Sequence, residues 1–167
     1  MLKRALSVID AISEWSGKVV SFFVLIFAVV ILYEIVARYI FNSPTTWALE
    51  ISLAFYGAYV ALIGAYVLRG GQHVNVDVLY GRFSPRVKAI VNLFTWLLFF
   101  LWVGAIVWKG WHAGWASLVA KEREPTSFGC PIYPVKLCIP VGGFLLFLQG
   151  LAGYIRSAIT AISGKEL

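Results

Sequence analysis

Charged residues are scarce in this 167-residue chain. Asp, Glu, Lys and Arg make up 13% of the sequence, whereas hydrophobic residues make up 60% and the mean hydropathy is +0.83. A soluble globular domain is about one-quarter charged, so there is too little charge here to cover a water-facing surface. The same composition excludes a disordered chain, a collagen-like chain and a soluble enzyme. It predicts an integral membrane protein.

Cysteine and histidine are almost absent. Cys130 and Cys138 are too few for a disulfide scaffold, and the two prolines between them disfavour a bridge. His73 and His112 are predicted at opposite ends of the membrane, about 30 Å apart, so they cannot ligate one haem iron. No metal-binding motif, paired-carboxylate motif or nucleophile–base arrangement is found. We therefore expect no cofactor, no metal, no catalytic residue and no enzymatic activity.

Four apolar stretches reach the length of about 20 residues that a bilayer-spanning helix needs. They are predicted at about residues 19–37, 47–68, 87–109 and 133–155. The third can continue as a helix to about Val119, roughly 50 Å at 1.5 Å per residue, and must then tilt or project from the membrane. The sequence predicts an all-α membrane protein in which residues 1–167 form a single domain of four transmembrane helices.

Residues 1–16 are predicted to form a short amphipathic helix before the first span. Their apolar side chains recur every three or four residues, at Leu2, Leu6, Ile9 and Ile12. Basic and acidic residues lie away from that stripe, which favours a helix lying on the lipid surface or against a partner. The alternative is a frayed extension of the first span.

The distribution of basic residues predicts the orientation. With the N-terminus inside, nine of the fourteen Lys and Arg residues lie on the cytoplasmic side, and the loop between the second and third spans carries four of them. This is the positive-inside pattern, so both termini are predicted to be cytoplasmic. Because the basic residues fall between apolar runs rather than in one stripe, nucleic acid is not an expected partner. Membrane lipid is the expected surrounding of the spans.

Three charged residues flank the turn between the first two spans. Glu34 and Arg38 are four residues apart on one helix face, the spacing of an ion pair. Ser43 is predicted to cap the second helix with Pro44 at its first position, which places Glu50 in the second turn. Ionisable residues at membrane depth suggest function. Because these lie near the interface, a structural lock or a partner contact is favoured over ion transport.

A second polar group follows the second span, where Arg69 is followed by two glycines, His73 and Asp77. Asp77 would orient the His73 ring if the segment were helical. A polar joint at the lipid headgroups is the favoured interpretation, because no nucleophile or phosphate-binding spacing accompanies the two residues.

The fourth span carries small residues, which allow helices to approach closely in lipid. We expect close packing, within the chain or against another subunit, at Gly142, Gly143, Gly150 and Gly153.

Three segments resemble the small membrane subunit of tripartite ATP-independent periplasmic (TRAP) transporters. The first is Arg38–Pro44 (RYIFNSP) followed by Trp47 and Glu50, and the second is Gly64–Asp77 (GAYVLRGGQHVNVD). The third runs from Tyr133–Lys136 (YPVK) through Ile139-Pro140 to Leu148–Ala152 (LQGLA). Together they span most of the chain, in the order and spacing of the family.

The resemblance implies a function that the periodicity of the apolar residues cannot indicate. In this family a periplasmic binding protein captures an organic acid, a carboxylate or sulfonate, and a large membrane subunit moves it inward with sodium. The small subunit is thought to brace the large one and to contribute to the docking surface for the binding protein. The resemblance also implies a bacterial inner membrane. A cofactor-free anchor subunit of another complex, such as a redox complex, is the alternative.

Overall fold

Four long helices make up most of the part of the chain that the structure describes. The structure, a computed structural model, describes residues 2–70 and 85–163, and in these ranges the helices are α1 (Leu2–Tyr39), α2 (Ala48–Arg69), α3 (Pro85–Val119) and α4 (Tyr133–Ser163). All four are long and apolar enough to cross a membrane, and no β-strand occurs within the described ranges. The predicted all-α architecture with four spanning helices is confirmed. Only helices satisfy every backbone polar group inside a single segment in hydrocarbon.

α1 is one continuous helix of 38 residues. The segment predicted as a short amphipathic helix, residues 1–16, is helical from Leu2 and continues into the first span without a break. No proline interrupts it, and Gly17, a weak helix former, is packed against the ring of Tyr66. At 1.5 Å per residue α1 measures roughly 57 Å, so it must tilt in the bilayer or extend beyond it.

The helices stand side by side in the order α1, α2, α4, α3. α1 packs along α2, α2 packs against α4, and α4 packs against α3, while α1 meets α4 only over a short stretch. In the most apolar 18-residue stretch of α4, 33% of the residues are buried, whereas in that of α1 only 6% are buried. α4 is therefore the central helix and α1 and α3 form the two edges of an open row.

α3 and α4 approach closely where α4 contains a proline. Pro140 has no backbone N–H, so α4 leaves the carbonyl of Lys136 without its usual helical donor. A β-carbon added at Gly110 would lie 3.3 Å from the Pro140 nitrogen, and one added at Gly114 would lie 3.3 Å from the Lys136 carbonyl oxygen. The two glycines of α3 let its backbone pack directly onto this proline turn.

The row has two ends. We call the end that holds the 40–47 and 120–132 connections the loop end. The opposite end holds the start of α1, the end of α2 and the last turns of α4, and we call it the terminal end. Most polar side chains described below lie at one of these two ends.

Candidate functional site

A carboxylate joins the end of α1 to the connection that follows it. Glu34 accepts hydrogen bonds from Nε of Arg38 at 2.9 Å and from its Nη2 at 2.5 Å, as the four-residue spacing predicts. Glu34 also accepts from the backbone N–H of Thr45 at 3.1 Å and from the Thr45 hydroxyl. Only 14% of the Glu34 side chain is exposed. Glu34 therefore holds the 40–47 connection against α1.

The start of α2 differs from the sequence-based prediction. The helix begins at Ala48, with Trp47 at the N-cap position and no side-chain cap, so Ser43 does not cap it and Pro44 is not its first residue. The physical reason is the Glu34 carboxylate, which binds the Thr45 N–H and keeps that residue outside the helix. The Thr45 hydroxyl accepts a long hydrogen bond of 3.4 Å from the Ala48 N–H instead.

Glu50 is not part of the Glu34–Arg38 cluster. Its two carboxylate oxygens accept hydrogen bonds from the Thr126 hydroxyl at 2.5 Å and from the backbone N–H of Cys130 at 2.9 Å. Because α2 begins at Ala48, Glu50 lies in the first helical turn, where the helix dipole favours negative charge. The three residues that the sequence grouped together thus form two separate ties at the loop end.

The 120–132 connection folds back on itself. The Glu124 N–H donates to the carbonyl of Cys130 at 2.9 Å, and the Ile132 N–H donates to the carbonyl of Glu122 at 3.0 Å. Gly129 adopts a φ of 69°, in the left-handed region that glycine enters without steric cost. The connection is therefore a compact turn that Glu50 fixes to α2.

Lys136 attaches the same connection to α4. Its ammonium group donates to the Glu122 carboxylate at 2.5 Å, and the Ser117 hydroxyl of α3 donates to the same carboxylate at 2.6 Å. These hydrogen bonds, first from Lys136 and then from Ser117, hold the pKa of Glu122 below its ordinary value of 4.5. Glu122 thus joins the end of α3, the connection and the start of α4.

At the terminal end, Arg69 joins α2 to α1. Its guanidinium lies 3.0 Å from the Glu14 carboxylate, which also accepts a hydrogen bond from Lys18 at 2.8 Å. The sequence singled out Arg69 but gave it no partner. The structure pairs the last residue of α2 with the N-terminal half of α1.

A second polar group at the terminal end was missed by the sequence-based analysis. The Arg156 guanidinium donates to the Asp10 carboxylate at 2.5 Å, and the Gln149 amide donates to the same carboxylate at 3.1 Å. The Ser13 hydroxyl donates to the Gln149 carbonyl oxygen at 2.7 Å, and both of these residues are buried. This group connects α1 with α4 across more than 130 residues of sequence.

The sequence carried a signal for this contact. Two of the four buried residues on the N-terminal half of α1, Ser13 and Gly17, are small or polar, and the other two are Leu6 and Val20. Of the predicted apolar stripe, only Leu6 belongs to this face, while Leu2 and Ile12 are exposed. In lipid, small and polar side chains mark the faces where helices meet, because exposed apolar side chains incur no cost there.

The glycines of α4 face its two neighbours. A β-carbon at Gly142 would lie 1.8 Å from the Ala61 carbonyl oxygen of α2. On the α3 side, a β-carbon would lie 3.0 Å from Val107 at Gly143, 2.3 Å from the Phe99 ring at Gly150 and 2.8 Å from the Trp96 ring at Gly153. The structure therefore places these small residues at contacts within the chain.

The remaining candidates lie elsewhere. His73 and Asp77 fall outside the described residues. Cys130 and Cys138 are free thiols, and burial, followed by the charge of Glu50, raises the pKa of the Cys130 thiol. Within residues 2–70 and 85–163, no three His, Cys, Asp or Glu side chains are grouped as metal ligands would be. The chemistry available to the described polar groups is that of ion pairs and hydrogen bonds between helices.

Comparison with known proteins identifies the family. Residues 27–160 match the family described as tripartite ATP-independent periplasmic transporters, DctQ component. The chain is 31% identical over 94 residues to the sialic acid TRAP transporter permease protein SiaT of Haemophilus influenzae, which covers 56% of this chain and 15% of that protein. It is 29% identical over 107 residues to the C4-dicarboxylate TRAP transporter small permease protein DctQ of Vibrio cholerae, which covers 62% of this chain and 44% of that protein. The match thus spans less than half the length of either relative.

The family match covers the last third of α1 and nearly all of the three helices after it. It includes the ties formed by Glu34, Glu50 and Lys136 and the glycines of α4. Four helices able to span a membrane accord with a multi-pass protein of the inner membrane. This chain belongs to the DctQ-component family of TRAP transporters, the family of their small permease subunits.

Proposed function

We propose that this chain braces the large transmembrane subunit of a TRAP transporter during sodium-coupled import of an organic acid, a carboxylate or sulfonate, that a periplasmic binding protein delivers. The observation that carries the proposal is the open row of helices, tied by polar groups at both ends. Such a row is held at fixed angles while its edges remain available to a partner.

The middle of the spans supports a bracing role rather than a transport role. No Asp, Glu, Lys or Arg occurs in residues 19–33, 51–68, 91–108 or 137–155. Ion and proton pathways need ionisable or coordinating groups through the bilayer. We therefore assign the substrate and sodium sites to the large subunit and none to this chain.

The two edges of the row differ in character. On α1, four apolar side chains at helical spacing are each between 61% and 65% exposed: Phe22, Leu25, Val29 and Leu32. On α3, the exposed face carries Trp102, Trp108, Trp111 and Trp115, all more than half exposed. Trp favours the lipid interface. We assign the α3 edge mainly to lipid and the α1 edge to the large subunit.

The loop end provides the surface for the binding protein in this proposal. The positive-inside pattern assigns the loop end to the periplasm and both termini to the cytoplasm. The compact 120–132 connection, fixed by Glu50 and Lys136, then projects toward a soluble partner. A reporter fused after residue 167 that matures only in the cytoplasm should be active, and an inactive reporter would contradict the assigned orientation.

Recovery of the complex tests the bracing contact. The large subunit would be affinity-tagged, and the amount of this chain recovered with it in mild detergent would be measured for Val29→Trp on α1 and Leu101→Trp on α3. Both positions are more than 60% exposed, so neither substitution disturbs the packing of the row. We expect recovery to fall for Val29→Trp only. Equal recovery for both variants would contradict the assignment of the α1 edge.

Reconstitution tests the absence of transport by the chain alone. Vesicles containing only this chain should show no sodium-dependent uptake of organic acid, whereas vesicles with the large subunit and the binding protein should show uptake. Uptake by the chain alone would remove the basis for a bracing role.

A further inference from the structure

The acidic side chains of the protein fall into two groups. Six are described, and four of them form ion pairs within the chain: Asp10 with Arg156, Glu14 with Arg69, Glu34 with Arg38 and Glu122 with Lys136. The other two, Glu50 and Glu124, have no basic partner among the described side chains. Both carboxylates are therefore available to a cation from outside the chain.

These two carboxylates line the same groove. It lies at the loop end between the first turns of α2, the 120–132 connection and the start of α4, and encloses about 300 Å³. Its walls are otherwise mostly apolar, formed by Leu49, Leu53, Ala54, Ile132 and Val135. A volume near 300 Å³ lies at the lower end of the range for small-ligand sites.

The groove is polar at one end and apolar at the other. Glu50 lies in the first turn of α2, and Leu53 and Ala54 lie one turn further into the span. Another turn on, a β-carbon at Gly57 would lie 3.0 Å from Val135, so α2 and α4 close the groove at that level. Leu49 and Leu53 are 66% and 58% exposed, which opens the groove sideways toward the bilayer.

We propose that this groove binds an aminophospholipid, with the headgroup ammonium between Glu50 and Glu124 and an acyl segment along Leu53, Ala54 and Val135. The lipid has the same order along the membrane normal as the groove, a charged group at the surface and hydrocarbon below. The membrane around the spans supplies this ligand, and the proposal does not depend on the large subunit.

The carboxylates have free acceptor capacity for an ammonium group. Each oxygen of Glu50 accepts one neutral hydrogen bond, from Thr126 or from Cys130, and a carboxylate offers about four acceptor positions. The Glu124 side chain is exposed and accepts no hydrogen bond from the described residues. A primary ammonium carries three donors, enough to bind both carboxylates at once.

The test measures headgroup selectivity on the full chain in lipid nanodiscs. Phosphatidylethanolamine and phosphatidylglycerol would be mixed in equal amounts, and the lipid retained after extraction into mild detergent would be counted by native mass spectrometry. We expect the wild type to retain the ethanolamine lipid preferentially. Glu124→Gln should lower that preference about threefold to fivefold, the range expected for a partly exposed ion pair.

A steric pair of variants tests the acyl position. Ala54→Phe fills the groove and should abolish retention of the lipid, whereas Ala105→Phe, the same change on an exposed face of α3, should leave retention unchanged. Glu124→Gln retains the folded connection, because no hydrogen bond from the described residues depends on that side chain.

Two results would overturn the proposal. One is equal retention of the two lipids by the wild type. The other is unchanged lipid retention by Glu124→Gln together with weaker recovery of the large subunit, which would identify the missing cation as a basic side chain of that subunit. Because lipid retention is measured on this chain alone, failure of the bracing role would leave the lipid result unaffected.

Discussion

The two ends of the helical row are held together in different ways. At the terminal end, Asp10 and Glu14 of α1 bind Arg156 of α4 and Arg69 of α2, so helices are joined directly to helices. At the loop end, Glu34 and Glu50 bind backbone N–H groups in the two connections. The ties at the terminal end therefore act between helices, whereas Glu34 and Glu50 at the loop end fix the shape of the two connections. Breaking the Glu50 tie should affect a different measurement from breaking the ties at the terminal end.

The largest loss of stability should come from disturbing the close helix packing between the two ends of the row. Gly142→Ala would put a β-carbon 1.8 Å from the Ala61 carbonyl oxygen, and backbone cannot move aside as a side chain can. We expect α2 and α4 to separate, at a cost of about 3 kcal/mol. The measurement is the thermal midpoint and the recovery of monodisperse protein in mild detergent.

Gly104→Ala is the matched control, because nothing lies within 4 Å of its added β-carbon. It should leave the midpoint unchanged or raise it slightly, since alanine is the better helix former. A similar loss of stability in both variants would contradict the assignment of the loss to the contact between Gly142 and Ala61.

Removing the charge pair at the terminal end should have the next largest effect. Asp10→Asn and Arg156→Gln each leave the partner charge unpaired in a partly buried place, and we expect each to cost about 1–2 kcal/mol after allowing for solvent screening. The double variant should cost less than the sum of the two. A double-mutant cycle on thermal stability measures this coupling, and strictly additive losses would count against a direct α1–α4 tie.

The loop end should respond to acid through Glu122. Because the folded-state pKa of Glu122 lies below its ordinary value of 4.5, its contribution to stability is present above pH 4.5 and is lost as the pH falls through the folded pKa. Lys136→Met removes the main cause of the shift. The difference in thermal midpoint between wild type and variant should be constant from about pH 7 to pH 6 and shrink below about pH 4.5.

A difference that grew on acidification would contradict the assigned ion pair. Lys109→Met is the control, because Lys109 is exposed and forms no ion pair with the described residues. Its midpoint relative to wild type should not change with pH in this range.

The smallest effect should be a local one on Cys130. Burial and the nearby Glu50 charge raise the pKa of this thiol, so in a Cys138→Ser background it should react slowly with iodoacetamide at neutral pH. Glu50→Gln removes the negative charge of the side chain. It also replaces one of the two carboxylate oxygens that accept hydrogen bonds from the 120–132 connection. We expect alkylation to be several-fold faster with little change in thermal midpoint.

Lys121→Gln changes a charge in the same connection without touching the Glu50 tie, and it should leave the alkylation rate near that of the parent. If Glu50→Gln left the rate unchanged while lowering the thermal midpoint, Glu50 would be a tie between helices, and the two ends would not differ as described.

The positions of the spanning helices could be predicted from the sequence because each span is marked by its own run of apolar residues. Hydrocarbon requires helices, and the predicted second segment, 47–68, lies within one residue of Ala48–Arg69 at each end. The third was predicted at 87–109 with a possible continuation to about Val119, and the helix runs over Pro85–Val119. The fourth was placed at 133–155 but continues to Ser163. Its last turns contain polar residues, which lower hydropathy without ending a helix.

The partners of the polar residues could not be read from the sequence in the same way. The Glu34–Arg38 pair was predictable because it lies within one helix. The contacts of Asp10 with Arg156 and of Glu50 with Cys130 depend on the order of the helices in the row, and hydropathy carries no information about that order. The apolar stripe of residues 1–16 could not reveal which side of α1 packs within the chain, because an apolar side chain in lipid need not be buried inside the protein.

The position of α4 between α2 and α3 has a consequence for biogenesis. A chain made from its N-terminus onward inserts α1 and α2 first, and these two pack along each other. α3 then enters the bilayer before its principal neighbour in this row exists. When α4 arrives it packs against both α2 and α3, so the last helix to be synthesised joins the earlier parts. Until then α3 lacks the helix against which it packs most extensively in the finished row.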